Sequence, residues 1–335
     1  MKLIDYRIVA VALVLFAIPQ MFFAPELSYL SRIFILMALY AILTMALNIV
    51  FGHTDQLLLF SGAIAGIGTY ATVLIAQGYG ISPWIALVIG GVVAGLTGAL
   101  VCYVAAIRDL TVIVISILTL ALQFSIIELI NAFRDITGGV TGLSFDGLRL
   151  EVIENTFGFS ADVVLFYTIS VLLLAVLVLY KYLMNSRYGL AFEMIRQDET
   201  AAESAGLNVV KYKTFAGFVA TFIMGLTGPF FGQLSGYVTP GLFSFNAVDV
   251  LILIMLIVGG LRTMYGPLVG AVVIVYLNEE LRALAEYRSI IFGALLIVLF
   301  LYFRDGLVPF VDGRLEDWGV KERVTKRLSN LRPGS

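Results

Sequence analysis

From Ile33 to Ile107 the chain carries one charged side chain, Asp55. A water-soluble domain must cover its core with polar groups, and a stretch of this length without them cannot do so. Only 13% of the 335 residues are charged, where ordinary soluble domains carry about 25%. A bilayer asks for the opposite, apolar segments of about 20 residues that cross the hydrocarbon as helix. Ile33 to Phe51, Leu57 to Ala76, Trp84 to Ile107, Leu110 to Ile127, Val163 to Leu183 and Phe215 to Leu234 meet that demand. Ile8 to Phe23 reads as a first span kept in the chain, because Phe-Phe-Ala-Pro-Glu is a poor cleavage site. The runs are continuously apolar, without the alternation of a barrel wall. The fold class expected is therefore all-α, a polytopic transmembrane helix bundle.

Val248 to Leu277 is too long for one crossing, and Gly259, Gly260, Gly266 and Pro267 surround Arg262 in its middle. Gly and Pro at that density break it into two short helices, Val250 to Val258 and Pro267 to Leu277. A last span is expected from Ile290 to Phe303. Basic residues mark the cytoplasmic side. They cluster in the 185–213 loop, with Arg187, Arg196, Lys211 and Lys213, and in a tail, 314–335, with Lys321, Arg323, Lys326 and Arg327. The 131–162 loop is mostly acidic and belongs outside. With both termini cytoplasmic, parity gives about ten crossings, and a re-entrant hairpin over 248–277 satisfies the same parity. Residues 1–313 then form the membrane domain and 314–335 a basic cytoplasmic tail.

A net charge of −2 excludes binding that works by neutralising nucleic-acid phosphates. Cys102 and His53 are single, so no intramolecular disulfide, no cysteine zinc site and no metal centre is expected. The same scarcity leaves an intramembrane enzyme little acid–base or nucleophilic chemistry.

The 185–213 loop is too patterned for a plain connector. Leu190, Met194 and Ile195 share a helical face, and Gly206-Leu-Asn ends the run as a helix terminus does. Two short surface helices are expected, with Ala201, Ala202 and Ala205 small enough to press into a partner's groove. The elements Arg187-x-Gly189-x-Ala191, Glu193, Ile195-Arg196-x-Asp198 and Ala201-Ala202-x-x-x-Gly206-Leu resemble the coupling loop of LivM-type branched-chain amino-acid permeases, subunits of ATP-binding-cassette importers. The resemblance continues in Ala46-Leu-Asn48 to Gly52, Gln56-Leu, Leu118 to Gln123, Thr137-Gly138-Gly139-x-x-Gly142, Gly236-Tyr-Val-x-Pro240 and Gly259-Gly-Leu-x-Thr263-x-x-Gly266-Pro267. It implies a multi-pass subunit of the cytoplasmic membrane fed by an extracytoplasmic binding protein, paired with a homologous second permease and driven by two ATPase subunits that grip the loop around Ala202. The chain has no Gly-x-x-x-x-Gly-Lys-Ser/Thr phosphate loop, so no cofactor is expected in it and ATP belongs to the partners.

Two departures stand out. After Gly52 the resembled family continues Tyr-Ala-Gly-Gln, where this chain has His53-Thr-Asp55-Gln56, and Arg262 stands where Gly is frequent. Asp55 is either a path residue within the bilayer or part of a cytoplasmic turn, and Asp249 has the same ambiguity at the outer end of a short span. Further candidates for the translocation path are Gln56, Gln123 and Glu128, with Glu128, Asn131 and Asp135 on one helical face, and Thr137, Gly138, Gly139 and Gly142, whose backbone amides suit either a carboxylate or an ordinary turn. Gly62, Gly66, Gly91 and Gly95 have the spacing of close helix packing. Tyr70, Trp84, Tyr180 and Tyr302 read as an interfacial belt. The expected cargo is a small amino acid, leucine, isoleucine or valine, with urea or short amides as alternatives. An ion-coupled secondary transporter is the rival mechanism, opposed by the lack of several buried charges in the deep spans.

Overall fold

The computed structural model describes residues 6–23, 28–145, 147–150, 154, 158–281 and scattered positions between 287 and 310. The 314–335 tail, Tyr302 and most of the expected last span lie outside the described residues. The protein is a helix bundle. Its elements are α1 (Tyr6–Phe22), α2 (Ser28–Leu47) extended by a π turn (Asn48–Gly52), α3 (Ser61–Tyr79), α4 (Pro83–Ile107), α5 (Val112–Ala132), α6 (Arg134–Thr137), α7 (Ala161–Met184), α8 (Arg187–Gln197), α9 (Glu199–Ser204), α10 (Val209–Ser235), α11 (Asp249–Gly259) and α12 (Gly266–Glu280). A two-residue ribbon, Leu143–Ser144 against Tyr237–Val238 antiparallel, joins the loop after α6 to the loop after α10.

Among the described residues five helices are long and apolar enough to cross a membrane: α2 with its π turn, α4, α5, α7 and α10. They are half of the ten crossings expected; α1 and α11 are shorter apolar helices. The protein is thus a multi-pass membrane protein. Burial grades the spans. The most apolar window of α2 is 83% buried and that of α5 only 22%, so α2 is central and α5 presents most of its surface outward. The break expected in Val248 to Leu277 is present, as α11 and α12 flank a turn at 260–265.

Small residues let α3, α4 and α10 approach to backbone contact. A β-carbon on Gly228 of α10 would lie 2.1 Å from the Ala65 carbonyl oxygen of α3, and one on Gly90 of α4 would lie 2.4 Å from that of Gly68. Gly91 is more forgiving, since its nearest neighbour is the end of the Leu226 side chain at 2.7 Å. In apolar solvent such interdigitation supplies what the hydrophobic effect supplies in water. We expect Gly228→Ala to cost about 1–3 kcal/mol by forcing the backbones apart, and Gly91→Ala to stay within about 1 kcal/mol. Thermal melting of the detergent-solubilised chain reads the difference; equal melting of the two variants would contradict the packing argument.

Three expectations are corrected. The span expected from Leu57 begins as helix at Ser61, because Asp55 to Phe60 runs without helical structure from a left-handed Asp55, φ 51°. The helix carrying Glu128 and Asn131 ends at Ala132, so Asp135 lies in a separate short helix and does not continue that face. Tyr70 and Tyr180 are buried in the core and form no belt, whereas Trp84 is exposed.

Candidate functional site

A helix leaves its first backbone N–H groups without intrahelical partners. At the start of α3 they are met by side chains from two other helices. Asp249, at the head of α11, accepts from Ser61 N (2.6 Å) and Gly62 N (3.2 Å). Gln123, half-way along α5, accepts from Ala63 N (2.7 Å) and donates to the Phe243 carbonyl (2.8 Å). Thr119, one turn earlier on α5, accepts from Leu59 N (3.0 Å). Asp249, Gln123 and Thr119 are all buried. Because Gln123 sits at mid-span of α5, this junction lies at the level of the bilayer centre. Two helices, α3 and α11, therefore begin inside the membrane, and each is reached through irregular backbone. Such backbone is tolerated at that depth only where protein or a cavity lines it.

A second junction gathers at the end of α2. Asn48, in the π turn, donates to the Thr263 carbonyl (2.9 Å) and to Tyr180 Oη (3.2 Å), and accepts from Arg262 N (2.9 Å). The Arg262 Nε donates to the Gly52 carbonyl (3.0 Å), and its guanidinium lies 3.6 Å from the Asp55 carboxylate. His53 and Tyr180 are 2.7 Å apart, and burial pushes the His53 imidazole down to about 4, leaving it neutral near pH 7. Gln56 is buried and donates to Thr54 Oγ1 (3.1 Å) and to the Lys213 carbonyl at the start of α10 (3.3 Å). The stretch between the two junctions is thus pinned at both ends.

The third element is the ridge of α8 and α9. Ser186 caps α8 by accepting from Tyr188 N, and Asp198 caps α9 by accepting from Ala201 N. Gly189 allows α8 to fold back on α7, since a β-carbon there would meet the Met184 carbonyl oxygen at 2.2 Å. Gly206 closes the ridge at φ +86°, a left-handed geometry that glycine enters without strain. Glu193 pairs with Arg196 (2.7 Å) on the exposed face, and hydrogen bonds from Gln197 and Arg196 hold its carboxyl below the usual carboxylate range. Arg187 is exposed in the first turn of α8. Ala202 is not on the outer surface as expected. It packs inward with Ile195 and Val209, while Ala201, Glu203, Ser204 and Ala205 face out. Beneath the ridge the buried Lys213 ammonium of α10 reaches Glu199 of α9 at 2.6 Å.

The remaining candidates stand apart. Thr137 donates to the Ile130 carbonyl (2.6 Å) and accepts from Gly139 N (3.2 Å), and a β-carbon on Gly142 would lie 2.2 Å from the Val238 carbonyl oxygen. These residues, with Gly138 as a left-handed helix cap, lock the ribbon at the far end of the bundle from the ridge. Glu128 is exposed on α5. Among the described residues no group of three or more His, Cys, Asp or Glu is placed to hold a metal ion.

The sequence model of the family described as "Branched-chain amino acid transport system / permease component" matches residues 29–300. The chain belongs to this family. Two relatives, each named "High-affinity branched-chain amino acid transport system permease protein LivM", come from Salmonella typhimurium and Escherichia coli; each is 28% identical over 298 residues, covering 83% of this chain and 69% of the relative. A "Probable branched-chain amino acid transport permease protein LivH" of Methanocaldococcus jannaschii is 25% identical over 244 residues, 70% of this chain and 75% of the relative. No solved structure matches. The two departures from the permease pattern meet in space. Asp55 (φ 51°) and Arg262 (φ 66°) both occupy left-handed backbone, a conformation that glycine enters most readily, and face each other as an ion pair. Both are well exposed, so the pair stabilises by less than about 1 kcal/mol.

Sequence reasoning missed the pairing of Lys213 with Glu199 and the capping role of Asp249. The available signal for Asp249 was a single acid as the first residue of an eleven-residue, otherwise apolar helix.

Proposed function

We propose that this permease is a membrane subunit of an ATP-binding-cassette importer that carries branched-chain amino acids, with the α8–α9 ridge as the seat of a cytoplasmic ATPase. The observation that carries the reading is the continuous connection from ridge to bilayer centre. Glu199 holds Lys213, the Lys213 carbonyl holds Gln56, and the chain from Gln56 leads to the α3 head held by Asp249 and Gln123. Discontinuous helices meeting near the midplane are where transporters bind substrate and change access. A push on the ridge is transmitted along this path and reorients α3 against α11.

The partners in this reading are two ATPase subunits carrying the ATP, a homologous second permease and an extracytoplasmic binding protein that selects leucine, isoleucine or valine. The ridge and both termini lie on the cytoplasmic side, and residues 314–335 form a basic tail there. The family name supports the branched-chain cargo over urea or short amides. The test is uptake of leucine by the full complex reconstituted in liposomes. Uptake is expected to need internal or external ATP on the ridge side and to survive ionophores that collapse ion gradients. Uptake that persists without ATP and stops with the ionophore would replace this reading by ion-coupled transport.

A further inference from the structure

A groove of about 860 Å³ opens beside the ridge, between α4 and α10. At one end stand Arg187, Lys211 and Asn208; at the other stand Ala99, Tyr103 and Phe218. Ala99 lies eight residues before the last residue of α4, so the groove follows the helix inward for about 12 Å. Its polar end is at the bilayer surface and its apolar end within the hydrocarbon. No acidic side chain lines it. Neither Arg187 nor Lys211 makes an ion pair among the described residues.

The placement of the two cations matters more than their number. Arg187 lies in the first turn of α8 and Lys211 in the first turn of α10, and neither first turn holds an acid. The N-terminal end of a helix dipole is already positive and disfavours a cation. Two dipoles and two side chains of one sign converge on this mouth, an arrangement that an incoming anion relieves. Thr214 also lines the groove, and its buried hydroxyl has no partner.

From this we infer that the groove is a binding site for an anionic phospholipid, with the phosphate between Arg187 and Lys211 and an acyl chain along Ala99, Tyr103 and Phe218. Basic pockets between membrane helices at the bilayer surface suit lipid phosphates in this way. A soluble phosphate would satisfy the cations and leave the apolar end unfilled. The inference depends on the chain's lying in a bilayer and not on the cargo it carries.

The test is native mass spectrometry of the full chain, stripped of lipid and offered phosphatidylglycerol or phosphatidylcholine. Phosphatidylglycerol is expected to be retained about tenfold more than phosphatidylcholine, with the excess removed by the double variant R187Q/K211Q. Ala99→Trp keeps both cations and fills the apolar end; it too is expected to lose the retained lipid, which keeps the inference testable if the double variant fails to fold. Glycerol phosphate at equal concentration should not displace the lipid. Equal retention of the two lipids, retention unaffected by both variants, or displacement by glycerol phosphate would each overturn the site.

Discussion

Replacing Asp249 with alanine is expected to abolish transport and to destabilise the bundle. The buried carboxylate accepts from two backbone N–H groups at the head of α3. Each buried donor left without an acceptor costs about 1–3 kcal/mol, so the loss for two is about 2–6 kcal/mol in all. The consequence is also geometric. Gln123 and Thr119 would still tie the α3 head to α5, while the contact between α3 and α11 at the bilayer centre would open. Asp249→Asn keeps a side-chain oxygen at the same reach and should recover part of the stability. Thermal melting and leucine uptake, measured on protein recovered from the membrane fraction, give both readings. An Asp249→Ala protein that melts and transports like the parent would remove the midplane junction from the account.

The second large effect concerns the strut beneath the ridge, and its sign is asymmetric. The Lys213 side chain is 6% exposed and that of Glu199 is 46% exposed. Glu199→Ala leaves a buried ammonium without its partner, a penalty of about 1–3 kcal/mol. Lys213→Met leaves a carboxylate that water can solvate, and the methionine fills the same space, so the cost is smaller. The double variant should regain most of the stability lost by Glu199→Ala, because no buried charge remains. Uptake should not return with it, since the mechanical tie between α9 and α10 is gone while ATP hydrolysis by the partners continues. Restored uptake in the double variant would make the pair a stabiliser only, and greater damage from Lys213→Met than from Glu199→Ala would reverse the assignment of which charge is buried.

The legible part of this fold is the part that composition decides. α4, α5 and α7 stand where nearly charge-free runs place them, and the break between α11 and α12 follows from Gly259, Gly260, Gly266 and Pro267. The start of α3 was hidden, because Leu57 to Phe60 is as apolar as the helix after it, and hydropathy registers burial without registering backbone conformation. What fixes Ser61 as the first helical residue is a pair of side chains, Gln123, 60 residues beyond its partner Ala63, and Asp249, 188 residues beyond its partner Ser61. The ridge was visible as two short helices closed by Gly206-Leu-Asn, whereas their N-caps, Ser186 and Asp198, are findings of the structure. Which way Ala202 faces was not, since three nearby alanines are alike in composition and only packing on Ile195 and Val209 separates them. The ion pair of Asp55 with Arg262 shows the same limit. Each departure looked isolated, and the compensation became visible only when α2 and the 260–265 turn were brought together.

The central claim is that the ridge faces the compartment that holds ATP. Glu203 is exposed on α9, and the single native cysteine, Cys102, is fully buried, so Glu203→Cys creates one accessible thiol in an otherwise unreactive chain. A membrane-impermeant maleimide applied to intact cells should leave that thiol unlabelled, and the same reagent applied to inverted membrane vesicles should label it. Labelling from outside intact cells, with none in inverted vesicles, would place the ridge away from ATP and contradict the account.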